Sequence, residues 1–202
     1  MKNKLFASLV TLGLISILAG CSKMPKTEID AAKTAVAQAK ASGADMYLPT
    51  DFAAVQDSLN MIIEKIEKQK SRLFHNFGDA KIHLDSLTVM AKRVQDNTEI
   101  RKNQVKQEIQ VTLTDVKLLL EENKMLLSKA PKGKEGTAAL MAIKADISTL
   151  ESAVTEANGM LSKGDYLTTL DKVKATKDKA TSINQELKDA IAKYSKNRPK
   201  KG

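Results

Sequence analysis

A chain of 202 residues with 33 Lys and Arg against 24 Asp and Glu carries a formal net charge of +9. Aromatic residues make up 3%, Trp is absent, and 9 Gly and 4 Pro are few, a composition that favours helix over sheet. A hydrophobic content of 42% excludes a disordered chain, and a single cysteine excludes internal disulfides and Cys-based metal sites.

Lys2 and Lys4 precede an apolar run from Leu5 to Leu18. That run is shorter than the ~20 residues a spanning helix needs, so residues 1–20 read as an export signal. No later stretch is long and apolar enough to cross a membrane. The run ends in Leu18-Ala19-Gly20-Cys21, which resembles the lipobox of bacterial lipoproteins. The resemblance implies cleavage between Gly20 and Cys21, lipid on the Cys21 thiol and acylation of the new amine. It implies no cofactor beyond that covalent lipid. Two or more acyl chains hold a protein stably on a bilayer, whereas one does so marginally. In the sorting rule of enteric bacteria, Asp after the cysteine retains a lipoprotein at the inner membrane. Ser22 stands there, so the expected location is the cell envelope, anchored in the outer membrane and facing the periplasm.

Residues 21–26 form a lipidated tether. Thr27 reads as a helix N-cap, with Asp30 three residues on, close to a capping box. Ile29, Ala32, Val36, Ala39 and Gly43 then recur at three-four spacing, a narrow face suited to close helix approach. Gly43 suits the left-handed position that ends a helix, and Pro49 suits the first turn of the next. From Phe52 the apolar rhythm continues through Val55, Leu59, Ile63, Ile66, Leu73, Phe77, Ala80, Leu84, Leu87, Ala91 and Val94, which predicts one long helix. Residues 95–104 hold one apolar residue and no Gly or Pro. The step from Val94 to Val105 keeps helical phase as a stutter, so the expectation is a continuous or kinked helix, with a break near Asn97 as the alternative. The seam resumes at Val105, Ile109, Thr112, Val116, Leu119, Asn123 and Leu126.

Residues 129–136 (KAPKGKEG) are a loop. A seam of Leu140, Ile143, Ile147, Leu150, Val154, Ala157 and Leu161 follows. Gly164 ends that helix, Asp165 is placed to cap the next, and the last seam runs Tyr166, Leu170, Val173, Ala180, Ile183, Leu187, Ala190, Tyr194. The short connection predicts antiparallel packing. The expected fold is all-α: elongated antiparallel helical hairpins, coiled-coil-like, with one long central helix. Its parts are a helical hairpin over residues 27–128, a C-terminal hairpin over 137–195 and a basic tail over 196–202. The last two helices are expected to cover the 105–127 segment as a three-helix bundle, and the first helix to cover only part of 52–94.

The stretch AVAQAKASGADMYLPTDF, from Ala35 to Phe52, resembles the signature of an alanine-rich helical domain of unknown function found in bacterial envelope lipoproteins, roughly AIxxAxxAGAxxYAPxEL. Leu48, Asp51 and Phe52 depart from it. The resemblance covers about the first third of the chain after the signal and brings no catalytic residue.

His75, Asp79 and His83, at i, i+4, i+8, lie along one side of a helix and are the candidate metal ligands. At 100° per residue they sit opposite the seam, which favours a solvated polar face. Nucleophilic catalysis lacks a base and a cleft, carboxylates alternate with Lys as in Glu64 and Lys68, and the chain reads as non-enzymatic. Residues 165–202 hold ten Lys or Arg against five Asp or Glu. Lys193, Lys196, Arg198, Lys200 and Lys201 are thus candidates for binding an anionic surface such as acidic lipid, lipopolysaccharide or cell-wall polymer. No nucleic-acid motif is present. The function this supports is a lipid-anchored scaffold or interaction module, with a protein partner or self-association through helices. The alternative is a binding protein for anionic envelope polymers or a metal ion.

Overall fold

The structure, a computed structural model, describes residues 23–71, 76–131 and 136–196. The signal segment with Gly20 and Cys21, Leu73 and His75, and the tail residues Arg198, Lys200 and Lys201 lie outside the described residues. The fold is all-α. The described helices are α1 (Lys26–Ala41), α2 (Ala44–Tyr47), α3 (Pro49–Lys70), α4 (Gly78–Lys129), α5 (Gly136–Lys163) and α6 (Tyr166–Lys196). No helix among the described residues is long and apolar enough to cross a membrane. The contacts divide into two units, Met1–Arg101 and Lys102–Gly202, and the division falls within α4.

In the first unit, α1 starts after Pro25 with no side-chain cap, one residue before the expected Thr27. Thr27 lies inside the helix because Pro25, with φ fixed near −80° and no N–H to satisfy, already sets the entry, and its carbonyl accepts the Ile29 amide at 3.0 Å. At the other end Gly43 takes φ +85° and donates its N–H to the Lys40 carbonyl at 2.7 Å. A Cβ there would stand 3.4 Å from the Tyr47 ring. Pro49 opens α3. Ala32 and Ala39 are fully buried, so α1 approaches its neighbours closely. Val55, Leu59 and Ile66 of α3 and Ala80, Leu84, Leu87 and Ala91 of α4 belong to the same apolar cluster. Lys81 of α4 reaches Glu28 of α1 at 2.7 Å, so the two helices start side by side and run parallel, with α3 returning against them.

The single helix expected from Phe52 through Val94 is two helices. α3 stops at Lys70 with Ser71 as its C-cap, and α4 begins at Gly78, whose N–H is taken by the Asn76 side chain at 2.9 Å. Phe77 lies before α4 yet is 3% exposed, so its place in the apolar rhythm records burial and not helix. The break expected as an alternative near Asn97 is absent, because α4 runs through residues 95–104. Thr98 carries the seam across that polar stretch. It is fully buried and satisfies its hydroxyl on the Val94 carbonyl at 2.7 Å.

In the second unit, α4 contributes Val105, Ile109, Leu113, Val116, Leu120 and Asn123. Leu120 takes the fully buried place expected for Leu119, which is half-buried. Ile143, Ile147, Leu150, Val154 and Ala157 of α5 and Leu170, Val173, Ala180, Ile183 and Leu187 of α6 complete the core. Gly164, at φ +83°, makes the turn, and the Asp165 amide reaches back to the Met160 carbonyl at 3.2 Å. Ion pairs fix the directions. Glu108–Lys174 (2.7 Å), Asp115–Lys177 (2.7 Å) and Glu122–Lys188 (2.8 Å) advance together, so α4 and α6 are parallel. Lys172–Glu156 (2.6 Å) and Lys179–Asp146 (3.0 Å) run in opposite senses, so α5 is antiparallel to α6.

One polar layer interrupts this core. Asn123, fully buried, donates its amide to the Ala180 carbonyl at 2.7 Å and accepts from the Asn184 amide at 2.9 Å. Sliding α6 by one turn would strand both amides, so the pair sets the register of α4 against α6. Asn123→Ala should cost about 1–3 kcal/mol by removing both hydrogen bonds of the layer, with Asn184 keeping its bond to Glu122, measured by urea denaturation. Gly43→Ala should cost about 1–2 kcal/mol through its left-handed backbone, read from the same transition. Losses below about 0.5 kcal/mol would contradict both assignments.

Candidate interaction surface

Among the described residues, those singled out for chemistry lie on separate surfaces. Asp79 and His83 are exposed on the first two turns of α4. They border an open groove of about 590 Å³ between α3 and α4 that is floored by Ile62, Ala80 and Leu87 and rimmed by Met61, Lys65 and Met90. Ser58, Glu64, Lys68, Gln69 and Ser86 also line it. Among the described residues no three His, Cys, Asp or Glu side chains are grouped to hold a metal ion. In the same groove the Gln69 side-chain oxygen is buried without a hydrogen-bond partner.

Lys193 and Lys196 lie exposed on the last turn of α6. Much of the remaining basic charge of α6 is already used. Lys172, Lys174, Lys177, Lys179 and Lys188 all bridge to carboxylates on α4 or α5. The lysine excess of the last helix therefore matches acids facing it across the bundle, a pairing that one-dimensional charge counting does not reveal.

At Glu28, Lys81, Glu122 and Lys124 the ion pairs shift the titrating group. Hydrogen bonding to the Lys81 ammonium holds the Glu28 carboxyl below its ordinary value, and Glu28 in turn raises Lys81. Lys188, helped by Asn184, lowers Glu122. Glu121 and then Glu151 raise Lys124, which lies 2.8 and 2.6 Å from them and ties α4 to α5.

The feature that sequence reading missed is on the back of α4. The helix carries seven strongly exposed large apolar side chains; Ile82, Val89 and Ile100 share one side of it within the first unit, and Val111, Leu118 and Met125 share one side within the second. In each unit, at 100° per residue, the three lie within about 40° of one another and roughly 170° from the buried seam. Single exposed apolar residues are ordinary on any surface. Three in helical phase within each unit are not scattered, and at 56–66% exposure none is covered by its own unit. The signal was present in the sequence as a second period beside the stronger seam.

No protein-family model matches this chain, and neither a curated protein nor a solved structure does.

The lowered carboxyls contribute stability that is present above the ordinary glutamate value of 4.5 and lost as pH falls through their depressed values. The raised lysines contribute stability present below 10.5 and lost as pH rises beyond it. Thermal melts followed by circular dichroism should therefore show a plateau between about pH 5 and 10 and a fall below pH 4. A Glu122→Gln protein should show a shallower acid fall. Equal acid slopes in the two proteins would contradict the role given to Glu122.

Proposed function

We propose that this chain is an exported, lipid-anchored, non-enzymatic protein of the bacterial envelope, whose helices present an interaction surface at the membrane. The observation that carries the interaction role is the exposed apolar side chains of α4, three in phase within each unit. The anchor rests on Leu18-Ala19-Gly20-Cys21, and the likeness of residues 35–52 to the alanine-rich domain of envelope lipoproteins agrees with it. The all-α core agrees with a binding role. In this reading Cys21 holds the lipid, Ser22 sends the protein to the outer membrane, and the helices face the periplasm.

A second reading has one observation in its favour. With five α6 lysines bridged internally, Lys193 and Lys196 make no ion pair among the described residues. With Arg198, Lys200 and Lys201 they would offer a basic end to an anionic envelope polymer. Sedimentation of the acyl-free protein with anionic vesicles or purified cell wall, at two salt concentrations, separates the two readings. Salt-sensitive binding lost on deleting residues 195–202 supports the polymer reading, and its absence leaves the interaction module.

For the anchor, the wild-type protein should partition with membranes and carry acyl chains by mass spectrometry. Cys21→Ala should move it to the soluble fraction with its helical signal unchanged. A Cys21→Ala protein that stays on membranes after high-salt washing would overturn the lipid anchor.

A further inference from the structure

We infer that helix α1 lies along an anionic phospholipid surface beside the anchor, turned to it by a row of lysines. This contact belongs to the membrane-anchored protein proposed above and rests on that reading. Its test needs no lipid on Cys21, so the two can fail separately.

Three observations carry it, all within the first unit. The first is spacing. Lys26, Lys33 and Lys40 recur every seven residues on α1. At 100° and 1.5 Å per residue they lie within about 40° of one another and span about 21 Å of helix. All three are exposed, as is Lys23 just before the helix. Ile29, Ala32, Val36 and Ala39 turn the opposite side of α1 to the core. Glu28, which reaches Lys81 of α4, stands roughly 140° around the helix from the row.

The second is pairing. Lys68, Lys70, Lys81, Lys124 and five lysines of α6 bridge to carboxylates. Lys23, Lys26, Lys33 and Lys40 bridge to none among the described residues. Glu28 is taken by Lys81. Asp30, the other acid of α1, is exposed beside the row and makes no ion pair among the described residues. The row and its lead-in thus keep four open cations against one anion.

The third is position. Lys26 follows Cys21 by five residues, which reach at most about 18 Å when extended. A bilayer that holds Cys21 is therefore within reach of the start of the row. Attraction to headgroups falls off within about 8 Å, so a one-sided row next to the anchor counts where scattered lysines do not. Each lysine held at an anionic leaflet raises binding roughly fivefold. Three are too few to hold a protein alone, and they suffice to choose which side of a tethered helix meets the bilayer.

The test uses residues 22–202, which contain every described residue and no cysteine. The protein is sedimented with vesicles of phosphatidylglycerol and phosphatidylcholine, and of phosphatidylcholine alone, at low and high salt. Binding should need the anionic lipid, weaken with salt and survive deletion of residues 195–202. Lys26→Glu with Lys33→Glu and Lys40→Glu should weaken it at least tenfold. Lys117→Glu with Lys144→Glu and Lys163→Glu, exposed positions of the second unit, change the net charge equally and should leave it within about threefold. Circular dichroism checks that each variant is folded. No sedimentation with anionic vesicles at low salt overturns the contact. So do equal losses in the two triple variants, or a loss on deleting the tail with the row intact. Sedimentation with purified cell wall but not with vesicles assigns the lysines to a polymer and overturns the lipid surface.

Discussion

Helix α4 carries a buried seam that no single neighbouring helix covers. Its 52 residues compare with 16 in α1 and 22 in α3. Apolar side chains left in water on such a face oppose folding, at roughly 25 cal/mol per Å². The chain answers with two sets of helices. α1 and α3 bury Ala80 to Val94, and α5 and α6 bury Val105 to Asn123. Between them the helix must persist through a polar stretch with one apolar residue. It does so because nothing there breaks it and because Thr98 fills the one core position with a hydroxyl satisfied by its own helix. Each remaining part of the structure follows from this need for cover: the small-residue face of α1, the left-handed glycines at 43 and 164, and the parallel placement of α6 on α4.

Apolar cover alone leaves register open, since three-four seams can slide by a turn. Two polar devices remove that freedom in the second unit. The Asn123–Asn184 layer accepts one alignment of α4 and α6, and the lysine bridges on the rim favour the same one. The bridges are half-exposed and individually weak, so their contribution is alignment more than stability. They also change the meaning of the basic C-terminal composition, much of which is spent inside the bundle.

The seams, the two glycine turns and the helix-opening Pro49 were legible in the sequence because each is a local signal with a single physical cause. The break between α3 and α4 was not. Phe77 keeps the rhythm of the seam while standing outside the helix, and periodicity reports which side chains are buried, not whether the backbone between them is helical. Thr27 failed as a cap because Pro25 had already fixed the chain entry. The bridges of α6 needed the partner helices in place before they could be recognised. The exposed apolar side chains of α4, Ile82 to Ile100 and Val111 to Met125, were visible in principle, yet their 7- and 11-residue steps are hidden beneath the denser seam of the same helix. Of the candidate site residues, those described are scattered over separate surfaces: Asp79 and His83 border the groove between α3 and α4, and Lys193 and Lys196 lie on the last turn of α6. Their sequence spacing carried no information about convergence.

That α4 is one helix serving two cores can be tested directly by hydrogen exchange at the backbone amides of residues 95–104. Intact helix over a filled seam predicts protection within about tenfold of the flanking segments 84–94 and 105–116. Exchange at the rate of an open loop in 95–104, with both flanks protected, would contradict it.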